Sequence, residues 1–241
     1  GGAVPRPRGN GAAPEGGSVT NVSGARLARP DRGNRSKVRP DAQRGRPAAK
    51  PLNGGLWVLS DFPIVKSSKL AYDALLCNSW DCWANKGVQA TKIRVPGIPF
   101  DLVIANTHTQ AGEKADPIRS KQLDIMWRFL NKFSEKDEPL FAIGDFNTYP
   151  SRLSYQHWMR GTGLTSVGDG CINGQIGCKV VPRENRGLEF NPDQHFYRAG
   201  RSNGYDVEIR PIYAEHLFVE PVKGRLLSDH WGMNVTYELK W

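Results

Sequence analysis

Cysteine, histidine and methionine are scarce in this 241-residue chain, at four, five and three residues. No two Cys stand in the CxxC spacing of a zinc ribbon or redox motif, and no His lies four residues from another. Those gaps argue against a zinc centre. Long apolar runs are missing as well: none approaches the roughly 18 uninterrupted apolar residues that a membrane-spanning helix requires. The chain opens on neither Met nor a basic-then-apolar leader. Aromatic residues are absent before Trp57, and Glu15, Asp31 and Asp41 are the only acids among the first fifty positions.

What fills that opening stretch is Gly, Pro, Ala and Arg, which supply 32 of the first fifty residues. Nine Arg and two Lys against three acids place eight of the chain's nine net positive charges there. Such a segment buries too little apolar surface to offset its ordering entropy, so residues 1–52 are predicted to be disordered. Their basic character suits an arm for nucleic acid or anionic lipid, but equally a linker or sequence foreign to the domain. Residues 53–241 then form the domain, and they are close to neutral. With 39% apolar and 10% aromatic residues, seven of them Trp, the chain can build a core and is neither collagen-like nor wholly disordered.

Beyond residue 53 the pattern is one of short apolar segments. Gly54–Ser60 reads as a buried strand, Gln89–Val95 as an alternating one, and Asp101–Thr107 as a strand inside a sheet. Asp116–Phe133 is predicted to be a helix: Pro117 suits its first turn, and Ile118, Leu123, Ile125, Met126, Phe129 and Leu130 form an apolar stripe. Pro139–Gly144 reads as a further buried strand and Ser151–Met159 as a short helix. The stretch 165–205 reads as a long loop or hairpin insertion, and Ala214–Glu220 and Met233–Leu239 as closing strands. Many strands with few helices imply layered α/β sheets.

The four Cys fall into two close pairs, Cys77/Cys82 and Cys171/Cys178. Two local disulfides in an exported, extracellular protein fit that arrangement, although four Cys allow three connectivities. Four free thiols in a cytosolic protein are the alternative.

Three polar motifs end or follow strands: Asn106-Thr107-His108, Gly144-Asp145-Phe146-Asn147 and Ser228-Asp229-His230. Each alone is weak, because a His after a strand is usually structural and Asp-x-Asn is often turn chemistry. Together they concentrate carboxylates, an amide and imidazoles, as a metal-assisted displacement at phosphorus requires. Carboxylates suit Mg²⁺ or Ca²⁺, an imidazole can deprotonate water near neutral pH, and hydrogen-bond donors offset charge building on phosphoryl oxygens.

In their order, and with Arg119 and Gln122-Leu123 on the intervening helix, these motifs resemble the endonuclease/exonuclease/phosphatase superfamily of DNase I-like fold. Asn85-Lys86-Gly87-Val88 and Thr107-His108-Thr109-Gln110 resemble its neutral sphingomyelinase branch. The resemblance spans about residues 53–241 and implies a four-layer α/β sandwich. It further implies an Mg²⁺-dependent phosphodiesterase, other divalent cations being possible, that cleaves sphingomyelin to ceramide and phosphocholine at a membrane surface.

By the same resemblance, His230 is the general base and Asp229 lies at the metal or beside it. Asp145 and Asn147 position the nucleophile, the metal and the scissile phosphate, and His108 bonds a phosphoryl oxygen or protonates the leaving group. The family orients its base with an Asp that opens a strand, a place assigned here to Glu215. Its principal Mg²⁺ ligand, a Glu, should precede Gly54, where only Glu15 stands. The resemblance therefore implies an N-terminally incomplete domain with an incomplete metal site. A nuclease on the same fold, or a catalytically dead fragment or binding module, are the competing readings. The near-neutral domain disfavours nucleic acid, whose backbone calls for a basic groove.

Overall fold

The computed structural model describes residues 50–180 and 191–241, together with the backbone of Ser36–Lys37. In chain order the strands are β1 (Ser36–Lys37), β2 (Leu52–Asn53), β3 (Leu59–Ser60), β4 (Ile64–Ala71), β5 (Ala84–Asn85), β6 (Gly87–Arg94), β7 (Asp101–His108), β8 (Leu140–Asp145), β9 (Thr165–Ser166), β10 (Gly177–Lys179), β11 (Asp193–Arg198), β12 (Gly200–Ser202), β13 (Tyr205–Leu217) and β14 (Gly232–Lys240). The α-helices are α1 (Asp116–Phe133), α2 (Leu153–Thr162) and α3 (Val167–Ile172).

Six strands form the larger sheet, in the order β4-β6-β7-β8-β11-β9. β7 and β8 run parallel, an arrangement that needs a crossover, and α1 supplies it. The other pairs in this sheet are antiparallel. In the smaller sheet β13 pairs with β14 antiparallel, with β10 parallel and with β12 antiparallel.

Alternation along the strands sends side chains to two cores. Leu102, Ile104, Phe141 and Ile143 of the larger sheet meet Val207, Ile209, Ala214, Val235 and Tyr237 of the smaller one. On the opposite face Val103, Ala105, Leu140 and Ala142 meet Leu123, Met126 and Leu130 of α1 and Trp158 of α2. Those three α1 residues are fully buried, each worth roughly 1.5–3 kcal/mol of burial. The fold is thus mixed α/β, helices on sheet on sheet, and the described residues supply three layers of the expected sandwich.

α1 begins and ends where the sequence placed it, with Pro117 in its first turn and Ser134 N–H bonding back to the Leu130 carbonyl. Gly163, left-handed at φ 65°, closes α2, a conformation that a side chain would penalise. Gly54–Ser60 departs from its expected buried strand: only Leu59–Ser60 is extended in pairing, and Trp57 and Leu59 are exposed. The stretch 165–205 is not a long loop, for it contributes β9, α3 and β10 to β12, with β11 inside the larger sheet. Ile64–Ala71 was not foreseen as a strand.

Cys77 pairs with Cys82 and Cys171 with Cys178, the local connectivity. The predicted disorder of residues 1–52 falls almost wholly outside the described residues, as does Glu15. No helix among the described residues is long and apolar enough to cross a membrane.

Candidate functional site

β7, β8 and β11 bring their polar ends to one edge of the larger sheet. Ile104 and Ile143 face the smaller sheet, so by the two-residue period of a strand His108 and Asp145 face the same way. Asp193 shares that face with Tyr197 two positions on from His195. His230 lies two residues before β14 of the facing sheet, across the mouth of the inter-sheet core.

Here His230 Nδ1 lies 2.7 Å from Asp193 Oδ2, donating its proton to the carboxylate. This bond, against the opposing effect of partial burial, holds the imidazole up to about 9. Asp145 forms the centre of the cleft. Its carboxylate accepts from the Asn147 backbone N–H at 2.9 Å and from Asn147 Nδ2 at 3.0 Å. Burial, and then the nearby Asp193 charge, push the Asp145 carboxyl well above the usual carboxylate range. Donor atoms of Asp145, Asp193 and His230 lie within 4.8 Å of one another.

His108 is held by Lys86, whose ammonium lies 3.1 Å from its Nε2 and 2.7 Å from the Thr109 carbonyl. The imidazole Nδ1 faces the Gly54 carbonyl at 3.4 Å, so the tautomer satisfying both contacts carries its proton on Nδ1. Burial, followed by the Lys86 charge, lowers the His108 pKa and so favours the neutral ring. Asp145 Oδ2 then sits 3.2 Å from an unprotonated nitrogen. Lys86 is itself buried, which depresses its pKa, while Asp81 at 2.5 Å counters that loss.

The loop after β7 is braced by the helix residues that the motif comparison singled out. Arg119 donates to the Gln110 and Gly112 carbonyls, and Gln122 accepts from the Gln110 backbone N–H while donating to the Leu76 carbonyl. Asn147, left-handed at φ 47°, also donates to the Thr109 carbonyl, tying the β8 loop to the β7 loop.

The structure therefore brings together His108, Asp145, Asn147 and His230. Glu215 is a correction: it accepts from Asn234 at 3.1 Å and is not the partner of His230. Ala214 and Val235 point into the inter-sheet core, so their neighbours Glu215 and Asn234 face away from it. The strand-opening Asp is Asp193, at the head of Asp193-Gln194-His195-Phe196-Tyr197. Asp229 is exposed, 3.5 Å from Ser228 Oγ, and stands outside the donor cluster, although its charge raises the His230 pKa slightly. Lys86 and Asp81 were also missed as functional residues. Their sequence signal was an acid and a base flanking the Cys82–Trp83 segment that leads into β6.

The oxygen donors of Asp145 and Asp193 fit a hard divalent cation. Two carboxylates are crowded in a largely buried cleft, and the resulting rise in Asp145 proton affinity is what a bound positive charge would relieve.

The profile of the Endonuclease/Exonuclease/phosphatase family matches residues 7–230, starting within the Arg-rich segment. No curated protein matches the chain. Among solved structures, sphingomyelinase C from Streptomyces griseocarneus is similar at 20% identity and TM-score 0.57, covering 78% of this chain and 70% of that one. A beta toxin variant from Staphylococcus aureus with bound magnesium ions is similar at 17% identity and TM-score 0.55, covering 76% and 68%. An endonuclease/exonuclease/phosphatase from Bacteroides vulgatus is similar at 16% identity and TM-score 0.56, covering 76% and 69%. At these identities the likeness is one of fold. Because the family match runs through every motif at the cleft, the chain belongs to the endonuclease/exonuclease/phosphatase family.

Proposed function

We propose that this chain is a divalent-cation-dependent phosphodiesterase of sphingomyelinase type, hydrolysing sphingomyelin to ceramide and phosphocholine. The observation that carries the reading is the Asp193–His230 pair beside Asp145, in which Nδ1 is committed to a carboxylate. A cation held by Asp145 and Asp193 would offset the negative charge that keeps the ring protonated, freeing Nε2 to accept a proton from water. Family membership supports phosphoester hydrolysis, and the likeness to sphingomyelinase C and to magnesium-bound beta toxin supports the lipid substrate and Mg²⁺.

In this reading His230 Nε2 removes the proton of the attacking water, and Asp193 stabilises the imidazolium formed. The new bond joins water oxygen to phosphorus; the bond to the ceramide oxygen breaks, and that oxygen takes up a proton from solvent while the imidazolium returns its own to solvent. Lys86 holds His108 and presents positive charge beside it, which favours a phosphate in the cleft, with Asn147 and Asp145 fixing the opposite side. Asp145 and Asp193 would hold the cation, with Asn147 at its edge. Such a cation, when bound, neutralises charge building on the phosphate and lowers the proton affinity of the attacking water.

Two disulfides support an oxidising, extracytoplasmic location. The nearly neutral region after residue 52 favours a zwitterionic lipid over a polyanion. The test is phosphocholine release from sphingomyelin vesicles in Mg²⁺, run beside plasmid nicking. Release without nicking supports the reading; nicking without release would make the chain a nuclease.

A further inference from the structure

The most exposed tryptophans lie within and next to a small disulfide-closed loop. The Cys77–Cys82 bond ties down a 3-10 turn, Ser79–Trp83, on which Trp80, inside the disulfide loop, is 77% and Trp83, the residue after it, 53% exposed. Their rings touch edge to face at 5.3 Å between centroids, so the two indoles project as one unit. Ser79 enters the turn left-handed at φ 59°, a conformation uncommon for a residue with a side chain.

Charge is arranged with equal economy. The single charged residue of the turn, Asp81, points inward to Lys86 Nζ and to the Ala111 backbone N–H at 2.7 Å. The outward face is thus Asn78, Ser79, Trp80 and Trp83, with no ion to desolvate. Through Asp81 and Lys86 this turn connects directly to His108, so whatever it touches lies at the rim of the cleft.

We propose that the Cys77–Cys82 turn is a membrane-docking element that seats Trp80 and Trp83 in the headgroup region of a zwitterionic bilayer. A lipid surface is favoured over a protein partner by size: a stable protein interface needs about 800 Å² per partner with matching shape, far more than two side chains offer. Interfacial Trp needs only an apolar layer with polar groups above it, where the ring is buried and the indole N–H stays hydrogen-bonded. The disulfide limits the entropy lost when the turn is immobilised. The inference rests on the reading that the substrate lies in a bilayer, and it names where the protein meets that surface.

Vesicle binding tests it without turnover. Full-length protein is sedimented with sphingomyelin/phosphatidylcholine vesicles in EDTA, and the depth of the indoles is read by quenching with brominated lipids. The wild type is expected to bind with quenched fluorescence, and Trp80→Ala/Trp83→Ala to lose at least about tenfold in affinity. Trp80→Phe/Trp83→Phe should recover part of it. Cys77→Ser/Cys82→Ser should bind more weakly than the wild type while melting at a similar temperature. Vesicle binding by the double Ala variant equal to wild type would overturn the inference. So would an absence of wild-type binding, including the case where the double Ala variant only dissociates a dimer. Failure of sphingomyelin hydrolysis with binding intact would count against the proposed activity alone.

Discussion

Asp193 Oδ2 accepts the Nδ1 proton of His230 at 2.7 Å, although Asp193 opens β11 of the larger sheet and His230 lies 37 positions on, in the loop before β14 of the smaller one. β11 ends its pairing with β8 at the Asp193–Asp145 register, so the same strand contact that aligns Asp145 also delivers the carboxylate to the imidazole. The second sheet reaches this point only through the segment before β14. The cleft is therefore where the two sheets are joined by a polar contact.

Replacing Asp193 by Asn should lower turnover by about 10²–10⁴-fold, the range seen when a buried orienting carboxylate is neutralised. In metal-free protein the His230 pKa should fall below about 9, because the Asp193 bond and charge that raise it are gone while Asp145 and Asp229 stay nearby. NMR titration of the histidine rings and steady-state kinetics check both. Glu215→Gln should change turnover less than about threefold.

Lys86→Met should reduce kcat by about 10²-fold, the scale of losing one fixed positive charge beside a developing phosphoryl charge. It should also raise the His108 pKa, since the Lys86 charge helps to depress it. Asp81→Asn, which leaves Lys86 in place but unpaired, should give a smaller loss.

Gly144 sits at φ 125° with the Thr107 carbonyl 2.3 Å from where a Cβ would be. Gly144→Ala should therefore destabilise the fold by about 1–3 kcal/mol and displace Asp145 from His108. A urea melt reads the first effect and kcat the second.

His195 is buried between the sheets and its pKa is lowered to about 4 by burial alone. The folded protein keeps it neutral, whereas the unfolded chain protonates it near 6.5. Its contribution is fully present above pH 6.5 and is lost as pH falls toward 4, about 3 kcal/mol in all. His195→Phe should flatten the stability slope in that window, measured by denaturant melts at successive pH values.

The parts of this site legible from sequence are those that end regular elements. His108 and Asp145 follow apolar runs whose burial dictates strands, and α1 announces itself by its stripe and Pro117. Asp193 escaped because its strand carries Gln194 and His195, polar residues that are nonetheless buried. Gln194 is satisfied there by the Thr148 and Asn191 carbonyls, a tertiary arrangement that no hydropathy pattern displays. Gly54–Ser60 misled in the opposite sense, since Trp57 and Leu59 are apolar yet face outward. The choice of Glu215 followed from placing the strand-opening acid on β13, where alternation turns it away from the cleft.

The account depends most on Asp145, Asp193 and His230 acting as one cation-assisted hydrolytic centre. Hydrolysis of sphingomyelin, followed through a Mg²⁺ titration and its reversal with EDTA, tests that directly. The prediction is saturable activation by Mg²⁺, loss in EDTA, and a fall of at least about 10²-fold in His230→Ala under saturating Mg²⁺. Hydrolysis that persists in EDTA, or that His230→Ala leaves intact, would contradict it.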